Sequence, residues 1–265
     1  MIISSLKNSK IQHLVKLRKK NIRLEYEEIL IDDLKAIMEA FNHKIEIISA
    51  YISEPNQFTS DYSTCLKLLI SKEVQIVSLP AKVFKKISYG DIETGIIVHA
   101  KTPEGRTLED LSTSKGSLFI ILDNLEKPGN IGAILRSCDA VNCTAVISYD
   151  QKTDLFNPNI IRASKGTCFS VPFINADFQE ILTFIKNNQI DLYTLTPDGS
   201  NHYLKANFTG SAAILAGNEH LGVSKEWRSH SKTLFIPMLG TIDSLNVAQS
   251  VTILVYEALR QKISH

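Results

Sequence analysis

Long apolar runs are missing from this 265-residue chain. None reaches the roughly 18–20 residues a membrane-spanning helix needs, which argues against an integral helical membrane protein. Cysteine is scarce: Cys65, Cys138, Cys143 and Cys168 form no Cys-x-x-Cys pair and have no His-x-x-x-His partner. A zinc cluster or a disulfide framework is therefore not expected, and buried free thiols are. The first residues lack the apolar core and small-residue cleavage site of a signal peptide, so a cytoplasmic setting is expected. Internal repeats and low-complexity tracts are absent, and a net charge of +1 forces no partner by itself.

What is present reads as an ordinary soluble globular protein, with 44% hydrophobic and 22% charged residues. The length suits one large or two medium domains. Charge is unevenly placed: Lys7, Lys10, Lys16, Arg18, Lys19, Lys20 and Arg23 fall in the first 23 residues with no acid among them. Such a cluster suits phosphates or a solvated helix face, and composition leaves both open.

Residues 10–20 carry Ile11, Leu14, Val15 and Leu17 at helical spacing. Strands are expected at 28–33, 45–53, 74–79 and 96–100, with helices at 34–40 and 62–71. Residues 1–101 thus read as a small α/β domain. The polar stretch 102–115, punctuated by Pro and Gly, reads as a linker. In 116–265 short apolar strands at 118–122, 145–148, 192–196, 212–215 and 233–238 alternate with helical segments, two of them 181–186 and 247–263. Strands apolar on both faces and separated by helices point to a parallel sheet. One helix shows a buried stripe at Ile131, Ile134, Leu135 and Cys138, with Arg136 off the stripe and Asn130 at the expected N-cap.

Polar loops follow these strands, where α/β domains present chemistry. Gly129 and Gly132 open a helix after a strand, and Asp150 ends the next strand, as in a dinucleotide fold. GxGxxG is absent, however, and a nicotinamide enzyme leaves Glu219, Ser244 and Asn246 without a task. Taken singly, each candidate has a plain alternative: an ion pair to Asp139 for Arg136, a solvated turn for Glu219, helix capping for Ser244 and Asn246.

Three stretches resemble the ordered motifs of the SpoU (TrmH-like) RNA ribose 2′-O-methyltransferases of the SPOUT superfamily. They are Asp123-Asn124-Leu125 with Pro128-Gly129-Asn130-Ile131-Gly132-Ala133-Ile134-Leu135-Arg136, then Ala216-Gly217-Asn218-Glu219-His220-Leu221-Gly222-Val223, then Ile236-Pro237-Met238 through Ser244-Leu245-Asn246-Val247-Ala248. The first hundred residues resemble, more loosely, an L30e-like substrate-binding domain. The resemblance implies a mostly parallel α/β sheet with a C-terminal trefoil knot. It implies S-adenosylmethionine held at Gly217, Ile236, Met238, Leu245 and Asn246. Arg136, Asn130, Glu219, Ser244 and Asn246 are the implied catalytic set, and a homodimer is expected. The implied substrate is structured RNA, ribosomal (large subunit) in preference to tRNA, contacted through Lys16, Lys19, Lys20 and Arg162. A catalytically silent RNA-binding protein is the alternative. His220 and Asn142 stand where many members have Gly, and Asp32-Asp33 where Glu-Gly is common.

Overall fold

The computed structural model describes residues 2–53, 59–89, 94–149, 154–218 and 220–264. Two compact units emerge: Met1–Glu104 with Asp154–Ser170, and Gly105–Thr153 with Val171–His265.

The first unit opens with α1 (Ser9–Lys16), α2 (Lys20–Tyr26), β1 (Glu28–Ile31), α3 (Leu34–Asn42) and β2 (Ile47–Ile52). It continues with α4 (Ser60–Ser71), β3 (Ile76–Ser78), α5 (Ala81–Ile87) and β4 (Ile96–Lys101). Side-chain caps define several starts: Asn8 accepts from Lys10 N, Asp33 from Ala36 N and Thr59 from Tyr62 N. The sheet order is β1-β4-β2-β3, with β4 antiparallel to both neighbours and β3 parallel to β2. Ile11, Leu14, Leu17, Leu30, Val77, Phe84 and Ile97 fill the core beneath α1.

The single helix expected over 10–20 is instead two helices, and arginine explains the break. Arg23 is buried, and its Nη1 donates to the Leu17 and Arg18 carbonyls at 2.8 Å each. Those carbonyls, orphaned at a helix C-terminus, find a partner that ends α1 there. Arg18 donates to the Lys86 and Ser88 carbonyls. Two members of the basic cluster are thus structural.

The second unit begins with β5 (Leu118–Asp123), α6 (Pro128–Ala140) and β6 (Ala145–Tyr149). The chain then gives α7 (Pro158–Ser164) and α8 (Thr167–Ser170) to the first unit. It returns as β7 (Phe173–Asn175), α9 (Phe178–Asn187), β8 (Asp191–Leu195) and β9 (Asn201–His202). The last elements are β10 (Ala212–Ala216), α10 (Lys225–Arg228), β11 (Lys232–Phe235) and α11 (Val247–Ile263). Seven strands in the order β7-β6-β5-β10-β8-β11-β9 form one sheet, and every pairing in it is parallel. β5 and β10 are buried along their whole length, as a sheet covered on both faces requires. Trp227 and Phe119 anchor the core with Ile121, Ile147, Ala213 and Leu215.

Two boundaries move. Pro128 takes the first position of α6, where its missing N–H costs nothing. Lys127 is therefore the N-cap and Asn130 lies inside the first turn. The strand expected to reach 238 stops at Phe235; Pro237 lacks the N–H a ladder needs. All four cysteines are free and buried, as composition suggested. Burial pushes the Cys65 and Cys168 thiols up to about 12. Among the described residues no helix is long and apolar enough to cross a membrane.

Candidate active site

From β5 the chain builds outward through β6 to β7, while β10, β8, β11 and β9 lie on its other side. That reversal opens a crevice past the carboxyl ends of the central strands, the usual ligand position in such sheets. The loop after β10 is fastened there. Asn218 Nδ2 donates to the Asn124 carbonyl at 2.9 Å, and Ser224 N donates to Asp123 Oδ2 at 2.7 Å. Asn218 Oδ1 accepts from the backbones of His220 and Leu221 at 2.9 and 3.1 Å, folding the loop on itself. Gly217 is required by this fold-back. A Cβ at that position would lie 2.4 Å from the carbonyl carbon and oxygen of Gly222.

A cavity of about 490 Å³ occupies the crevice. Gly217, Ile236, Met238, Ser244, Leu245 and Asn246, all expected from sequence, line it together. Sequence reasoning missed Leu195 at the end of β8 and Thr196 and Pro197 in the loop after it, which also line the cavity. The signal was available: Thr-Pro-Asp-Gly follows an apolar strand, the rule that located the other loops. Arg228 pins this loop, donating to Asp198 Oδ2 at 2.9 Å and to Thr196 Oγ1 at 3.3 Å. The Thr196 hydroxyl and then Arg228 hold the Asp198 carboxyl below its usual range.

Asn246 caps α11, accepting from Ala248 N at 2.9 Å, so the capping alternative holds for it. It also donates from Nδ2 to Asn130 Oδ1 at 3.1 Å. First and third motifs therefore meet in one side-chain contact. α6 and α11 lie against each other, with Ser137 Oγ and Thr252 Oγ1 2.7 Å apart. Arg136, on the exposed side of α6, is not among the cavity-lining residues of its own chain. Among the described residues it forms no ion pair, with Asp139 or any other acid. Glu219 and Asp150 lie outside the described residues. In the first unit Lys16, Lys19 and Lys20 are exposed. Arg162 is engaged: Nη2 meets Asp32 Oδ2 at 2.6 Å and also donates to the Tyr89 carbonyl.

The cavity fits S-adenosylmethionine. Its size lies within the roughly 300–1,000 Å³ typical of small-molecule sites. Leu195, Ile236, Met238 and Leu245 offer an apolar slot suited to a base, and Asn218, Asp243 and Ser244 add polar groups suited to a charged amino-acid tail.

Residues 117–256 match the SpoU rRNA Methylase family, and residues 8–97 match the MRM3-like substrate binding domain. A Streptomyces viridochromogenes 23S rRNA (uridine(2479)-2′-O)-methyltransferase is 32% identical over 59% of this chain and 57% of its own length. The 23S rRNA (guanosine(2553)-2′-O)-methyltransferase RlmP of Bacillus subtilis (strain 168) is 26% identical over 96% of this chain and 97% of its own. A crystal structure of an RNA 2′-O ribose methyltransferase superposes with a TM-score of 0.89 at 35% identity, covering 99% of this chain and 100% of the other. The SpoU methyltransferase AviRb of Streptomyces viridochromogenes, solved with its cofactor AdoMet, gives 0.86 at 25% identity, covering 97% and 99%. By the family match, and by a fold whose cavity gathers the motif loops, this chain is a methyltransferase of the SpoU rRNA Methylase family.

Proposed function

We propose that this protein transfers the methyl group of S-adenosylmethionine to a ribose 2′-hydroxyl of ribosomal RNA, in the large subunit. The observation that carries the reading is the single cavity formed by the loops after β10 and β11, tied to α6 by the Asn246–Asn130 bond. S-adenosylmethionine brings an already activated methyl on a sulfonium, so the protein's work is orientation and proton handling. In transfer the 2′-oxygen gains the methyl, the sulfonium loses it, and the hydroxyl proton leaves to an RNA phosphate or to water. Arginine stays protonated and cannot take that proton; Arg136 orients the hydroxyl and stabilises the developing oxyanion. Gly217, Ile236, Met238, Leu245 and Asn246 hold the donor, and Asn130, Ser244 and Glu219 complete the catalytic set with Arg136 and Asn246.

The active form in this reading is a homodimer in which one copy's Arg136 serves the other copy's cavity. Arg136 misses its own cavity, while Leu221, Leu239 and Ile242 on the loops beside it are 81%, 97% and 57% exposed. Apolar residues so placed mark an interaction surface. A C-terminal knot belongs to the same reading. It is supported by β11 lying between β8 and β9, and by Gly199, whose Cβ would fall 2.5 Å from the Leu234 carbonyl carbon. Residues 1–101, with 154–170 packed on them, act as the RNA-binding domain and the remainder of 116–265 as the methyltransferase domain, joined by 102–115. Lys16, Lys19 and Lys20 contact RNA phosphates. A cytoplasmic setting completes the account.

Calorimetric titration with S-adenosylmethionine and with NAD, side by side, tests the assignment. Saturable binding of the first and none of the second is expected; the reverse points to a dinucleotide enzyme.

A further inference from the structure

We propose that His13, Glu28 and His99 form a binding site for a divalent transition-metal ion of the zinc type. The three belong to different elements of the first unit: His13 to α1, Glu28 to the start of β1, His99 to β4. In the β1–β4 ladder Leu30 faces His99 and Glu28 faces Lys101. Glu28 and His99 are thus diagonal neighbours sharing a sheet face with Leu30 and Ile97. That face is the one α1 covers through Ile11, Leu14 and Leu17. The fold brings the imidazole of His13 down onto this face.

His13 Nε2 lies 2.6 Å and His99 Nε2 2.9 Å from the same oxygen, Glu28 Oε2. All three ligand atoms fall within 4.8 Å of one another. A tetrahedral zinc with ligands at about 2.0–2.2 Å sets its ligand atoms roughly 3.3 Å apart. The 2.6 and 2.9 Å separations must therefore widen by a few tenths of an ångström to admit an ion. Two imidazoles and a carboxylate are a donor set that borderline cations favour over magnesium or calcium. In the ion-free site both Nε2 atoms share hydrogen bonds with Glu28 Oε2, so binding requires those nitrogens to present lone pairs and releases protons. His13 is 28% exposed at its side chain, which leaves an entry path and room for water to complete the coordination. Lys101 Nζ, 3.4 Å from Glu28 Oε1, is the competing cation. The methyl-transfer machinery uses none of these residues. A bound ion would clasp α1 to the β1–β4 pair.

The test uses full-length, tag-free protein stripped of metal and dialysed against zinc, with bound metal measured by mass spectrometry. Cobalt substitution supplies a visible ligand-field spectrum. One zinc per chain is expected, with a rise in melting temperature. His13→Ala, at a partly buried position, should weaken binding by at least about tenfold. Glu28→Gln should do the same, while Lys101→Ala should tighten it by removing the rival charge. Circular dichroism on each variant separates lost binding from lost folding. No zinc retained by the folded wild type overturns the proposal. So does equal retention by folded His13→Ala and Glu28→Gln, which would put the metal elsewhere.

Discussion

Asn246 does two jobs with two different atoms, and that makes it separable by mutation. Its Oδ1 caps α11 and its Nδ2 reaches Asn130. Asn246→Asp keeps the cap acceptor and removes the donor; Asn246→Ala removes both. The alanine variant should lose about 1 kcal/mol of stability, the usual worth of an N-cap, and the aspartate variant should melt with the wild type. Both should transfer methyl poorly. Full activity in Asn246→Asp would show that the contact to Asn130 has no part in the site. The cap was legible in the sequence, because Asn stands immediately before an apolar-periodic run. The contact to a residue 116 positions earlier was not, since local pattern holds no record of it. Arg136 shows the same limit: the helical repeat placed it off the buried stripe, but a period names a face and not what lies opposite.

Among the elements, the loop after β10 is the one most tightly specified. Gly217 lets its backbone fold to within contact of Gly222, and an added methyl has nowhere to go but into backbone. Gly217→Ala should therefore open the turn. S-adenosylmethionine affinity is expected to fall at least about tenfold, on the scale of a displaced contact worth 1.4 kcal/mol, while the sheet stays folded. Calorimetry beside far-ultraviolet circular dichroism checks this; unchanged affinity would mean the turn does not shape the cavity. Central strands were the easiest elements to read, because β5 and β10 are apolar runs buried along their whole length and β6 opens on Ala145, Val146 and Ile147, all buried. α6 was legible from its stripe. The α1–α2 break was hidden because its cause, Arg23 reaching the Leu17 and Arg18 carbonyls, is tertiary. α7 was missed because seven residues hold too few turns for periodicity to show.

On the scale of the whole molecule, the chain crosses between its units more than once. Residues Asp154–Ser170 leave the second unit to pack with the first, where Arg23 meets Asp154 and Lys165 meets Asp33, each at 2.6 Å. No change of composition marks that excursion, so sequence alone suggested a simple division at the linker. The proposed exchange of Arg136 between copies predicts complementation. Arg136→Ala and Asn246→Ala, each inactive alone, should regain about one quarter of wild-type activity when mixed and allowed to exchange subunits. Half the dimers are then mixed, and each holds one complete site. No recovery despite exchange would place Arg136 and the cavity in the same copy.

The central claim is tested most directly by incubating unmodified 23S ribosomal RNA with methyl-labelled S-adenosylmethionine and the wild-type or Arg136→Ala protein. The digested RNA is then resolved by nucleoside mass spectrometry. The account predicts one labelled 2′-O-methyl nucleoside from the wild type. It predicts a loss of about 10²-fold or more from the variant, which still binds the methyl donor. Label on a base, or equal transfer by the variant, would contradict it.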